Sequence, residues 1–196
     1  MTKRVFIVHG WDGYPEEGWF PWLKIKLEKH GFEVYIPQLP EPSKPRIYNW
    51  VPALAQTVGT PDDQTFFVGH SMGCQTIARY LESLQDNLKV GGVVFVAGFL
   101  TRLAGLEDDD IVRDVSSHWM NSPLDLARVK SHITKSTAIF SNNDPFVPLD
   151  NQDAFRDQLG SKIIIVPNAG HFSGSRDQCF QLPIVLEKLL EIDSSL

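Results

Sequence analysis

Residues 65–80, TFFVGHSMGCQTIARY, constrain this chain more than any other stretch. An apolar run suited to a buried strand, Phe66-Phe67-Val68, breaks at Gly69-His70-Ser71-Met72-Gly73. Ile77, Ala78, Tyr80, Leu81 and Leu84 then recur at helical spacing. The pattern reads as strand, tight turn and helix, with a serine at the apex and a glycine two residues to either side. Such a serine takes a strained backbone conformation to lift its hydroxyl clear of a sheet, and the glycines let strand and helix approach without a Cβ clash. The helix then aims its N-terminus at the hydroxyl, where N–H groups and the dipole favour developing negative charge. A helix-capping serine fits the same local pattern. An acid and a histidine in suitable places decide between the two.

Taken in order, the chain alternates apolar, β-leaning runs with helical patterns. Val5 to Val8 reads as a buried strand ended by His9-Gly10-Trp11. Gly18 to His30 reads as an amphipathic helix, Phe32 to Ile36 as a strand, and Pro37 to Pro45 as a rigid loop. Ile47 to Val58 is the next helix, followed by the serine turn and a strand at Val90 to Ala97. Residues 101–136 fit no simple αβ repeat and are expected to form a cap or insertion. They hold the acidic cluster Glu107 to Asp110, then His118-Trp119-Met120, then a helical stretch over 124–132. Thr137 to Phe140 and Ile163 to Val166 read as strands, Asn151 to Leu159 and Leu182 to Ile192 as helices. With no hairpin signal, this predicts a mostly parallel sheet covered on both faces, a three-layer α/β/α sandwich within one domain over 1–196.

Composition narrows the function. The net charge is −6, with no long basic run, which argues against nucleic acid or anionic membrane as partners. The N-terminal apolar run is too short for a signal peptide or a membrane span. Two cysteines, Cys74 and Cys179, make neither a disulfide framework nor a metal cluster. The expectation is a soluble cytoplasmic protein with no metal and no cofactor. No G-x-G-x-x-G or P-loop follows a strand.

Open α/β sheets place chemistry beyond the carboxyl ends of their strands. Four such ends carry reactive or donor groups: His9-Gly10-Trp11, Ser71, Asp144 and His171. Ser71, Asp144 and His171 stand in the chain order of α/β-hydrolases. In that arrangement Ser71 attacks a carbonyl, His171 shuttles the proton and Asp144 orients the imidazole. The amides of Trp11 and Met72 would bind the oxyanion. Of the other histidines, His30 and His132 read as helix-end residues, and His70 should point away from substrate. His9 reads as a strand-end residue that holds the loop, while His118 in the cap could touch substrate. Asp150 and Asp153 compete with Asp144, but both flank a helix start, where a carboxylate is expected as a cap. Asp108 to Asp110 reads as a solvated acidic face.

Together, His9-Gly10-Trp11, GHSMG, SNNDPFVP and NAGHF resemble the small serine hydrolases of the retinoblastoma-binding protein 9 and YdeN-like family over essentially the full length. The resemblance implies a compact α/β-hydrolase fold, a triad at Ser71, Asp144 and His171, and esterase-like reactivity. The L-x-C-x-E motif of the human relative is absent, so no retinoblastoma-type partner is expected. Trp11, Phe99, Trp119, Met120 and Phe146 fall on loops that should ring the site as an apolar acyl or alkyl pocket, although core packing accounts for any one of them equally well. Lys and Arg do not cluster near the motifs, so an anionic substrate is not indicated. The expected activity is hydrolysis of small carboxylic esters through an acyl-enzyme. A hydrolase-fold binding protein and a small peptidase or amidase are the competing readings.

Overall fold

The apolar runs become strands: the central ones are buried on both faces of a sheet, and the two at its edges, around Val34 and Ile164, keep exposed positions. A computed structural model describes residues 2–106 and 109–194. The strands are β1 (Arg4–Val8), β2 (Glu33–Tyr35), β3 (Thr65–His70), β4 (Val90–Val96), β5 (Ile133–Ser141) and β6 (Lys162–Val166). Every neighbouring pair is parallel, in the order β2-β1-β3-β4-β5-β6. Phe6, Val8, Phe67, Val93, Phe95 and Phe140 face one buried cluster, which includes α2 (Ile47–Val58) and α3 (Met72–Glu82). Their strand neighbours Val5, Ile7, Phe66, Val68, Val94 and Ile139 face a second cluster, with α1 (Phe20–Lys29) and α8 (Pro183–Asp193). This two-residue alternation is what makes the three layers.

The strand order decides where a site forms. From β1 the chain steps to β2 on one side and then returns to β3 on the other. The loops leaving the carboxyl ends of β1 and β3 therefore diverge, opening a crevice between them. Parallel pairing also delivers the loops after β4, β5 and β6 to that same edge.

Residues 101–136 differ most from expectation. The stretch holding His118-Trp119-Met120 is a twelve-residue helix, α4 (Asp110–Asn121). Asp109 caps it, accepting from the N–H groups of Ile111 (2.7 Å) and Val112 (3.2 Å). The expected solvated acidic face is thus in part a helix cap; Glu107 and Asp108 lie outside the described residues. Val115 and Trp119, four apart, bury α4 against the body. Trp119 is fully buried, its indole N–H donates to the Pro45 carbonyl (2.9 Å), and its ring packs on Trp50. The buried guanidinium of Arg79 on α3 donates to the carbonyls of Trp119, Ser122 and Pro123 at the end of α4. α5 (Leu126–Ser131) then leads into β5, which starts four residues earlier than the apolar run, at Ile133. Its first half carries Thr134, Lys135 and Ser136, so the hydropathy signal is weak where pairing with β4 begins.

Candidate active site

Ser71 sits at the crevice between β3 and α3 with φ 52° and ψ −118°. This is a costly conformation for a residue with a Cβ. It is held by the Ser71 N–H donating to the Val96 carbonyl (2.9 Å). The Ser71 side chain does not cap α3, so the helix-capping alternative fails. The glycines around it are required by space. A Cβ at Gly73 would lie 2.1 Å from the Val8 carbonyl oxygen and 2.7 Å from that of His9. Both obstacles are main-chain oxygens, at the last residue of β1 and the one after it, and cannot swing aside. We expect Gly73→Ala to destabilise the fold by about 3 kcal/mol, lowering the melting temperature by roughly 10 °C. A melt within about 2 °C of wild type would contradict the tight β1–α3 contact.

His171 and Asp144 are brought together. Nδ1 of His171 lies 2.8 Å from Oδ2 of Asp144, and both side chains are largely buried. Oδ1 of Asp144 accepts from the N–H groups of Phe146 (2.8 Å) and Val147 (3.0 Å). A carboxylate that only accepts requires the proton on Nδ1, leaving the Nε2 lone pair of His171 available. Ser71 and His171 line the same cleft. The Ser71 hydroxyl makes no hydrogen bond among the described residues. Such contacts are often open in a free site and close when substrate binds.

The backbone of the His171 loop is clamped from several directions. Ser141 Oγ, Asn142 Oδ1 and Asn143 Oδ1 accept from the N–H groups of Ala169, Asn168 and Gly170 respectively. Oδ2 of Asp177 accepts from the N–H groups of His171 and Ser173, both at 2.9 Å. Asp177 is a second acid close to His171, but it binds the main chain and not the ring. His70 Nε2 donates to the His171 carbonyl (2.7 Å). Burial, reinforced by repulsion from His171, pushes the His70 pKa down to about 3, so it is a neutral strut. Trp19 Nε1 donates to the Phe172 carbonyl (3.1 Å). The polar turn SNND announced a loop, but nothing local announced that three of its side chains position the loop after β6.

The remaining candidates divide. His9 is buried and bridges two segments, its Nδ1 donating to the Gly10 carbonyl and its Nε2 accepting from the Leu39 N–H. It thereby fixes the turn that carries Trp11, whose indole N–H donates to the Ser43 carbonyl. The Trp11 N–H has no acceptor among the described residues, and Met72, as the first residue of α3, has its N–H outside the helical ladder. His118 does not face the cleft: its Nε2 accepts from the Ile47 N–H (3.2 Å) and its ring meets Tyr48. His132 is buried, with Nδ1 2.8 Å from the Leu88 carbonyl oxygen, and His30 is exposed. Asp150 and Asp153 make no cap; they pair with Arg102 and Arg156.

The cleft encloses about 440 Å³, with Trp11, Phe99, Leu103, Leu106 and Phe146 as apolar walls. Trp119 and Met120 do not line it. They border a separate depression of about 210 Å³ beside Gln75 and Arg79, because Trp119 is committed to anchoring α4. Arg176 and Glu17 line the main cleft as well, so it carries charge that the motifs did not advertise. Among the described residues no group of three His, Cys, Asp or Glu side chains could hold a metal ion, and no helix is long and apolar enough to cross a membrane.

The model of one protein family, serine hydrolase, matches residues 5–190. The chain belongs to the serine hydrolase family. Relatives of this serine hydrolase include YdeN of Bacillus subtilis (strain 168), 32% identical over 190 residues, covering 96% of this chain and 95% of YdeN. The crystal structure of the ydeN gene product superposes with a TM-score of 0.89 over 98% of this chain and 100% of that one. Serine hydrolase RBBP9 of Rattus norvegicus is 27% identical over 176 residues, 89% of each chain. The fold is shared more widely: Est1E from Butyrivibrio proteoclasticus matches with a TM-score of 0.73 at 14% identity, over 98% of this chain and 89% of Est1E.

Proposed function

We propose that this serine hydrolase cleaves small carboxylic esters through an acyl-enzyme, with Ser71, His171 and Asp144 as its triad. The Nδ1–Oδ2 contact between His171 and Asp144, made in the same cleft as the strained Ser71, carries this reading. Ser71 Oγ adds to the ester carbonyl carbon as its proton passes to Nε2 of His171. The oxyanion is held by the Trp11 and Met72 amides, a contribution of about 3 kcal/mol for each donor. Collapse breaks the bond to the alkoxide, which takes the proton from Nε2 and leaves as the alcohol. Water, deprotonated by the same nitrogen, then releases the acid and restores Ser71. Asp144 remains ionised throughout and stabilises the imidazolium. Phe99, Phe146, Leu103 and Leu106 supply an apolar wall suited to a short acyl or alkyl group, and the last two give segment 101–136 its role as a partial cap.

A panel of p-nitrophenyl acetate and butyrate beside anilides of the same acids tests the bond class. We expect ester turnover to exceed anilide turnover by at least about 10²-fold, because an anilide leaving group needs protonation that a nitrophenolate does not. Faster anilide cleavage would make the protein an amidase.

A further inference from the structure

The cleft also contains a carboxylate that has no partner among the described residues. Glu17 lines the cleft and is half-buried. Its side chain makes no hydrogen bond and no ion pair among the described residues. Its backbone, by contrast, is held firmly: the Glu17 N–H donates to the Tyr14 carbonyl (3.1 Å), and the Glu17 carbonyl accepts from the Phe20 N–H (3.2 Å). The next residue, Gly18 (φ +52°), is pressed against Gly174 in the His171 loop, where a Cβ on Gly174 would come within 2.5 Å of the Gly18 Cα. Glu17 is therefore carried on a segment locked to the loop that bears His171. Burial raises its pKa above the usual carboxylate value, and His171, when it carries a proton, opposes the shift. A carboxylate stripped of part of its hydration and given no donor by the described residues is a cost to the free enzyme, which a ligand can remove.

We propose that Glu17 selects substrates that carry a cationic group, an ammonium in the alcohol or acyl part, placed against this wall while the ester lies at Ser71. The proposal rests on the hydrolase reading of the cleft. Arg176 is the competing determinant. It lies 4.5 Å from the centroid of the Phe146 ring, on a well-exposed side chain. A solvated guanidinium already stacked on an aromatic face gains less from an anionic ligand than a half-dehydrated carboxylate gains from a cation.

Three acetate esters test this: 2-(dimethylamino)ethyl acetate, which is protonated at neutral pH and can donate its N–H, its neutral isostere 3-methylbutyl acetate, and a carboxylate-bearing ester of similar length. In wild type we expect kcat/KM for the cationic ester to exceed that of the isostere by about tenfold. Glu17→Gln should bring the ratio to about one, whereas Glu17→Asp, which keeps the charge, should retain part of it. A ratio unmoved by Glu17→Gln overturns the proposal, as does preference for the carboxylate ester that disappears in Arg176→Gln. The same esters bound to Ser71→Ala protein, followed by titration calorimetry, report the preference without turnover. Absence of fluorophosphonate labelling at Ser71 would sink the hydrolase reading, while those binding ratios still judge Glu17.

Discussion

Ser71→Ala is expected to lower ester turnover by about 10⁶-fold, to abolish fluorophosphonate labelling, and to leave the melting temperature within about 2 °C of wild type. The first two outcomes follow from removing the attacking oxygen while the oxyanion donors and the pocket remain. The third follows from geometry. The Ser71 side chain does not cap α3, so truncation leaves no partner unsatisfied. The strain at φ 52° belongs to the backbone and is kept by alanine. A helix-capping serine would give the opposite result, with stability lost by about 1 kcal/mol and chemistry spared. Turnover within tenfold of wild type in a folded Ser71→Ala protein would place the nucleophile elsewhere.

The parts of this molecule that could be read from its chain are those whose cause is local. An apolar run becomes a strand at the sheet's centre or at its edge alike, so five of the six strands stand close to their hydropathy signals. The serine turn was legible because its strand, glycines and helix lie in one short stretch of sequence, even though the contact that requires Gly73 comes from Val8 and His9. Asp144 and His171 could be paired because parallel strands return every loop to one edge, a topological rule that needs no detail. What was not legible depends on partners far along the chain. For Trp119 the sequence leaves pocket wall and core packing equally open, and Pro45 and Trp50 decide for the core. His118 likewise spends its lone pair on the Ile47 N–H. Helix α4 hid behind its acidic N-terminus, where Asp109 is a cap. The clamps on the His171 loop, from Ser141, Asn142, Asn143, His70 and Asp177, are polar side chains bound to main-chain atoms, and composition gives no sign of such bonds. Glu17 is the same case reversed: its side chain lines the cleft without a partner among the described residues, which no local pattern announces.

Asp144→Asn is expected to lower kcat by about 10⁴-fold while costing only about 1 kcal/mol of stability. The reason lies in which oxygen does what. Oδ1 accepts two backbone N–H groups, from Phe146 and Val147, and Oδ2 faces His171 Nδ1. Asparagine has one acceptor and one donor. Turning the NH₂ toward two backbone N–H groups would set donors against donors in a buried site, so the carbonyl oxygen keeps the Oδ1 position. The amide NH₂ is then forced toward His171. The imidazole must meet it with the lone pair of Nδ1, which moves the ring proton to Nε2. A protonated Nε2 cannot accept the proton of Ser71, and the variant is folded, correctly shaped and held in the wrong tautomer. Two measurements separate this from simple damage. The melting curve should shift only slightly, and the residual rate should rise with pH, because hydroxide can do what the misoriented base cannot. A variant retaining more than about a tenth of wild-type kcat would show that the Asp144 contact does not set the tautomer of His171, and the assignment of the triad's acid would fall with it.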